Sequence, residues 1–504
     1  MELSLQKNPV FINEIILDET VEQPIECDAL LPDYCPDIRR ILKCSMSPVV
    51  MSKAVTAGRL EVEGIAGLNI LYLSAGGELA KGEYKVPFSR MLELHGNGEN
   101  PMITVTLRTG QLNCRAVNQR RLDIRGSVVI RAVGITSRED SAICGSEEPT
   151  LRLRRREKTG MRLAGQAERE QRLTQATTLS GSGSPISRVL RCDACICRRE
   201  DRVADGRVIV RGEIQATVLC AGEDGGWEKA ECTLPFETTV ELPGACDATP
   251  CEIWQELLSA TAEPGTDSDG EYRSISWDIT VVTRVRIYRP YTGTICTDCY
   301  STRFASSGRN RNIQTLQLLS LCNEAVTSRE TLELPEQMEE IIAIWPQGAD
   351  CTVHPEGEGL LAEGRLGLTL LCKMSDGELY SFDRTLEVQH HVTAAEGAQW
   401  NARLECRGCQ WEFHGGTELS VNCDLFWSGA VWNMCKETML EEVTVDEKRP
   451  RTDAMPRGLY IYMAQKSESL WDIARRYNTS EEKIREDNGD LGEECAGGAI
   501  LIPV

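Results

Sequence analysis

Histidine is scarce in this chain, at 5 of 504 residues, and so are the arrangements in which it does chemistry. His95, His354, His390, His391 and His414 build no H-E-x-x-H pair. The adjacent His390 and His391 would point to opposite faces of a strand, so they cannot both hold one ion from it. No phosphate-binding G-x-x-x-x-G-K-[ST] loop and no G-x-S-x-G elbow occurs. The acidic residues pair nowhere in a way that marks an acid/base couple, so the expectation is a non-enzymatic protein with no catalytic residue and no cofactor. Long apolar runs are also missing, which excludes a membrane-spanning helix. Met1–Asp18 reads as a short amphipathic opening without the basic flank and cleavage site of an export signal, which leads to a cytosolic expectation. Basic charge is in deficit: 55 Lys+Arg stand against 77 Asp+Glu, a net charge of -22. Such a chain repels nucleic acid and anionic lipid, and neither is an expected partner.

Cysteine, by contrast, is abundant, at 22 residues. Without an export signal these read as reduced thiols that pack as small hydrophobes. Cys192/Cys195, Cys296/Cys299 and Cys406/Cys409 have Cys-x-x-Cys spacing, with Cys197 beside the first pair. Zinc is the alternative, since four thiolates satisfy its tetrahedral demand and the first two pairs lie in one repeat. The first repeat has no such pairs, and the flanking sequence looks like strands, so no metal is expected.

The strongest pattern is self-similarity. Ile38-x-Arg40-Ile41-Leu42-Lys43-Cys44 recurs as Ile186-x-Arg188-Val189-Leu190-Arg191-Cys192, a shift of 148 that also carries Gly64 onto Gly212 and Pro87-Phe88 onto Pro235-Phe236. At a shift of 300, Gly64 maps to Gly364 and Gly77-Glu78-Leu79 to Gly377-Glu378-Leu379. Beyond that point a six-residue deletion would bring Phe88 onto Phe382 and Glu93-Leu94 onto Glu387-Val388. Within each copy the pattern is β. Leu60, Val62, Gly64, Ala66, Leu68, Ile70 and Tyr72 alternate with mostly polar neighbours. Gly76-Gly77, Asp224-Gly225-Gly226 and Asp376-Gly377 then supply hairpin turns. Further strands are read at Leu122–Val133, Tyr272–Tyr288 and Trp411–Trp427. The expected fold is mainly β: three homologous antiparallel β domains, sandwich or open barrel, plus a small βααβ module. The expected domains are 1–146, 147–315 and 316–445, a linker at 446–457, and the module at 458–504. Ser180–Ser184 reads as a turn, and the basic run Leu151–Lys158 as a solvated strand between domains.

From Leu459 the character changes to strand, helix, helix, strand. Ser469 is the expected cap of a helix with Leu470, Ile473, Ala474 and Tyr477 on one face. Thr479 or Ser480 caps the second helix. Tyr462, Ser469-Leu470-Trp471-x-Ile473-Ala474, Tyr477-Asn478, Ile484, Asn488 and Leu501-Ile502-Pro503-Val504 resemble a LysM module. That resemblance implies N-acetylglucosamine-glycan or partner binding by two loops, placing Lys466, Ser467, Glu468, Ser469, Trp471, Glu493 and Glu494 at the site. The family's usual Gly-Asp is Ser467-Glu468 here and its Pro-Gly is Gly497-Gly498. Both departures fall in the glycan loops. Trp471 reads equally well as a core aromatic.

Leu31-Pro32-Asp33-x-x-Pro36-Asp37-Ile38-x-Arg40-Ile41-Leu42 resembles the opening of a SPOCS domain, and Cys299-Tyr300-Ser301-Thr302-Arg303 the chain that closes such a repeat. SPOCS repeats followed by LysM resemble the SipL-type spore-coat morphogenetic proteins of clostridial endospore formers. The resemblance implies an adaptor in the mother-cell cytoplasm, at the forespore surface and spore coat. Its LysM module would join the coat's basement-layer morphogenetic ATPase, with other coat proteins as further partners. The alternative is a peptidoglycan-binding protein.

Overall fold

The computed structural model describes residues 3–96, 101–179, 184–451, 456, 458–489 and 491–504. The turn read at Ser180–Ser184 lies outside them except for Ser184, as do 452–455 and 457 of the expected 446–457 linker, whose first five residues are strand. Strands β1 (Leu5–Leu30), β2 (Ile38–Thr56), β3 (Arg59–Ser74), β4 (Leu79–Glu93), β5 (Met102–Ala116) and β6 (Arg121–Ser146) form the first unit. Two three-stranded antiparallel sheets, β1-β6-β5 and β2-β3-β4, close as a sandwich over Leu60, Val62, Leu68, Ile70, Leu122 and Ile124. The second unit repeats the plan with β7 (Leu151–Thr178), β8 (Ile186–Ala204), β9 (Arg207–Gly222), β10 (Trp227–Glu241), β11 (Cys251–Gly265) and β12 (Ser274–Ser301). The third comprises β13 (Phe304–Glu356), β14 (Gly359–Met374), β15 (Leu379–Thr393), β16 (Ala398–Trp400) and β17 (Arg403–Pro450). Here β13 serves both layers. It pairs with β17 from Phe304 to Glu333 and again at Met338, and with β14 from Met338 onward.

The period-2 pattern does what it predicts. Along β3 the alternate residues from Leu60 to Ile70 are buried, and the glycine-bearing turns fold β4, β10 and β15 back onto β3, β9 and β14. Gly77, Gly225 and Gly377 have φ of 85°, 80° and 81°, the left-handed region that excludes most side chains.

Gly64, Gly212 and Gly364 occupy one position in the three sandwiches, opposite Phe88, Phe236 and Val388 respectively. A methyl group on Gly64 would sit 2.3 Å from the Phe88 ring and 2.7 Å from the Val49 carbonyl. One on Gly212 would sit 2.4 Å from the Arg198 carbonyl. These glycines therefore permit close approach. The same register corrects the third-copy alignment: Val388, not Phe382, takes the place of Phe88, so the shift of 300 continues through β15 and there is no six-residue deletion. Gly212→Ala should destabilise by ~1–3 kcal/mol, because the obstacle is backbone. Gly67→Ala, whose methyl group would meet nothing nearer than the Ser47 carbonyl at 3.4 Å, should match wild type in thermal unfolding.

The three sandwiches close on one another with pseudo-threefold symmetry. Leu42, Leu190 and Ile342 meet in one apolar cluster with Leu71, Leu219 and Leu371, and with Leu79, Trp227 and Leu379. Each trio is a set of equivalent residues. The rim follows the same cycle. Arg40 donates to the Leu379 carbonyl at 2.5 Å, and Arg188 donates to the Leu79 carbonyl at 3.1 Å. The first strands of the three units converge elsewhere, on buried Asn13. Its Nδ2 donates to the carbonyls of Met161 (2.7 Å) and Leu316 (3.0 Å), while its Oδ1 accepts from the Leu163 amide (3.3 Å). The basic run that opens β7 is exposed at Arg154, Arg155 and Arg156, but Lys158 is buried and paired with Glu437 of the third unit at 2.7 Å. That lysine is not a solvated charge.

Candidate functional site

The C-terminal module folds as β18 (Leu459–Ala464), α1 (Leu470–Arg476), α2 (Glu481–Asn488) and β19 (Gly498–Pro503), with β18 and β19 antiparallel. Leu470, Ile473, Ala474, Ile484, Ile500 and Ile502 fill its core. Ser480 caps α2, its hydroxyl accepting from the Lys483 amide at 3.3 Å. Ser469 begins α1 without a side-chain cap: its hydroxyl is buried and has no hydrogen-bond partner among the described residues. Asn488 fastens α2 to β19, accepting from the Leu501 amide and donating to the Leu501 and Ile484 carbonyls.

The two loops read as the binding site lie side by side. The Ser467 amide donates to the Cys495 carbonyl (2.8 Å), the Cys495 amide to the Glu468 carbonyl (2.9 Å), and the Leu470 amide to the Glu493 carbonyl (2.9 Å). Lys466, Ser467, Glu493 and Glu494 are exposed on this pair of loops. Glu468 is not a free surface charge. Its carboxylate accepts from the Tyr462 hydroxyl at 2.7 Å and the Gln465 amide at 3.0 Å, and those two bonds hold its pKa below the ordinary glutamate value. The Ser467 backbone, at φ 62°, is part of the same tight turn.

Trp471 faces the second sandwich. It is 4% exposed, and its indole Nε1 donates to Asp298 Oδ2 at 2.9 Å, an oxygen that also accepts from Arg475. Its ring meets Tyr300 edge-on, with centroids 4.8 Å apart, and the Tyr300 hydroxyl donates to the Thr479 carbonyl at 2.8 Å. Burial pushes the Tyr300 phenol above its ordinary pKa, so it stays a donor. Asp298 lies at a register shift between Cys296 and Asp298 on β12, the kind of bulge that re-aims a side chain. Sequence reasoning assigned neither Asp298 nor Tyr300 to this contact. The available signal was the aromatic in Cys299–Arg303, read only as a repeat ending.

A cleft of about 860 Å³ separates the module from the start of β7. Arg152, Arg154 and Arg156 line one wall, and Glu481, Glu482 and Glu493 the other. Burial raises the Glu481 pKa despite Arg485 and Arg154 nearby. The two Cys-x-x-Cys pairs of the second repeat stay apart, while Cys195 of the first pair approaches the third pair, its Sγ 3.4 Å from the Arg407 carbonyl. Cys192 packs against the core of the second sandwich, whereas Cys296 and Cys299 pack with Leu151 and Leu440. All 22 cysteines are free thiols. No helix among the described residues is long and apolar enough to cross a membrane.

Comparison with protein families gives two matches. Residues 37–117 and 185–263 match the SipL, SPOCS domain, which places the matched segments over β2–β5 and β8–β11, and residues 462–492 match the LysM domain. No curated protein and no solved structure matches.

Proposed function

From a chain that carries SipL SPOCS domain repeats and a C-terminal LysM domain, and so belongs with the SipL-type spore-coat proteins, we propose a non-enzymatic adaptor that links the coat's basement-layer ATPase to the forespore surface. It would act in the mother-cell cytoplasm. The observation that carries this reading is the orientation of the module. Its aromatic platform, Trp471, is spent on a contact inside the chain, while Lys466, Ser467, Glu493 and Glu494 remain open on a charged loop pair. Charged loops steer and orient a protein partner more than they help a neutral glycan. The closed ring of sandwiches supplies a rigid base for that head.

The test is charge reversal at Lys466, Glu493 and Glu494 together, none of which supports the fold of the module. Capture of the purified ATPase should weaken about tenfold or more, equivalent to ~1.4 kcal/mol, while thermal unfolding stays unchanged. Undiminished capture would overturn the loop assignment. Saturable co-sedimentation with purified peptidoglycan would favour the glycan reading that LysM domains suggest.

A further inference from the structure

Cys322, Glu324 and His390 converge in the third sandwich, their ligand atoms all within 4.8 Å of one another. We infer that they form a zinc site that fastens the two layers of that sandwich.

Cys322 and Glu324 are two residues apart on the first half of β13 and so share a face. His390 is on β15, in the opposite layer. His390 Nε2 lies 3.9 Å from Cys322 Sγ and 3.5 Å from Glu324 Oε2. Tetrahedral zinc, with bonds of about 2.3 Å to sulfur and about 2.0 Å to nitrogen and oxygen, sets its ligand atoms roughly 3.3–3.6 Å apart. The two spacings from His390 are within a few tenths of an ångström of that requirement, and Cys322 and Glu324 lie within 4.8 Å of each other.

Both neighbours approach the same imidazole nitrogen. A relay that passes a proton from thiol to carboxylate would engage the two ring nitrogens separately, whereas here a single ion could meet one atom from each of the three residues. The ring itself is held in place, with centroids 5.9 Å from those of both Trp400 and Trp427. Three protein ligands leave the fourth position for water.

The other two sandwiches lack the set at this place. The equivalent residues are Glu22, Pro24 and Arg90 in the first and Glu170, Arg172 and Thr238 in the second. In the second, Thr238 donates to Gln171 at 2.5 Å and joins the same two edge strands. The third sandwich has the metal ligands where the second has that hydrogen bond. Zinc takes cysteine as the thiolate, so binding displaces the Cys322 thiol proton to solvent.

The full chain, freed of metal by chelation, is titrated with zinc chloride by calorimetry in two buffers of different ionisation enthalpy. One equivalent should bind, with release of one proton. Cobalt in its place should give a sulfur-to-metal charge-transfer band. Cys322→Ser and His390→Gln should abolish the band, and each should weaken zinc about tenfold or more. Glu324→Gln, on an exposed side chain that cannot compromise folding, should also weaken binding. Cys406→Ser with Cys409→Ser should leave the affinity unchanged. Absence of stoichiometric binding, or binding that survives Cys322→Ser and Glu324→Gln, would show a hydrogen-bonded cluster without a metal.

Discussion

Glu252→Gln is expected to lower thermal stability more than any other single change on the repeats, by ~3–5 kcal/mol, or on the order of 10 °C in midpoint. Glu252 is 3% exposed and Arg286 is 2% exposed. The carboxylate accepts from Arg286 (3.2 Å) and Tyr288 (2.9 Å) of its own sandwich and from Arg403 (2.5 Å) of the third. Arg286 in turn donates to Thr104 of the first sandwich at 2.9 Å. One buried acid thus sits where all three units meet. Removing its charge leaves two guanidinium groups without their counter-ion in a site closed to water. Burial by itself would raise the Glu252 pKa, but Arg403 and Arg286 outweigh it and hold the value below the ordinary range. The sign of the pH effect follows. A depressed folded-state pKa contributes stability that is fully present above the unfolded value, near 4.3, and is lost as pH falls through the folded value. Wild type and Glu252→Gln should therefore differ most in midpoint at neutral pH and converge in acid. A constant difference down to pH 2 would mean that the carboxylate contributes through shape alone.

What the sequence revealed and what it hid have separate physical causes. The hairpins were legible because Leu60 to Tyr72 keeps strict alternation and each turn carries the glycine that its φ demands. The first strand of each sandwich was not. Leu5–Leu30 buries Ile25 and Leu17 in its own core, but Val10 and Ile12 against Ile295 and Ile313 of the other units, so its apolar residues follow no single period. The inter-unit cluster did leave a trace. Ile70–Leu73 is buried without a break where alternation calls for an exposed residue, which marks a strand covered on both faces. Leu219 and Leu371 sit in similar runs. Which surfaces they cover could not be read, because equivalence between copies says nothing of contact between them. The module's element order was legible, since Leu470, Ile473 and Ala474 share one face of α1 and Ser480 caps α2, whereas the expected Ser469 cap is not made. Its orientation was not legible, because Asp298 and Tyr300 lie 173 and 179 residues upstream of their partners.

Undocking the module is the second large effect, and it separates two roles of Trp471. Trp471→Ala removes an aromatic that belongs both to the module's core and to the contact with β12, so its loss of ~3–5 kcal/mol does not say which role failed. Tyr300→Ala acts from the other side. The residue lies outside the module's chain, is buried at the edge of the module's core, and touches Trp471 and Thr479, so its truncation weakens the contact and leaves every side chain of the module in place. Amide exchange along Leu459–Ala464, which is bonded to β19, should remain slow in Tyr300→Ala. Exchange at the end of β12 should accelerate, and small-angle scattering should show a larger radius of gyration. Asp298→Asn should give the same result in milder form, since it keeps an acceptor for the indole but loses the charge that pairs with Arg475. Fast exchange along Leu459–Ala464 in Tyr300→Ala would mean that the module depends on the sandwich to fold. On the proposed docking role, in which Lys466, Glu493 and Glu494 meet the coat ATPase, its capture should persist within about threefold in Tyr300→Ala. A larger gain in capture would show that Trp471, once freed, joins the partner surface and that docking holds it in reserve.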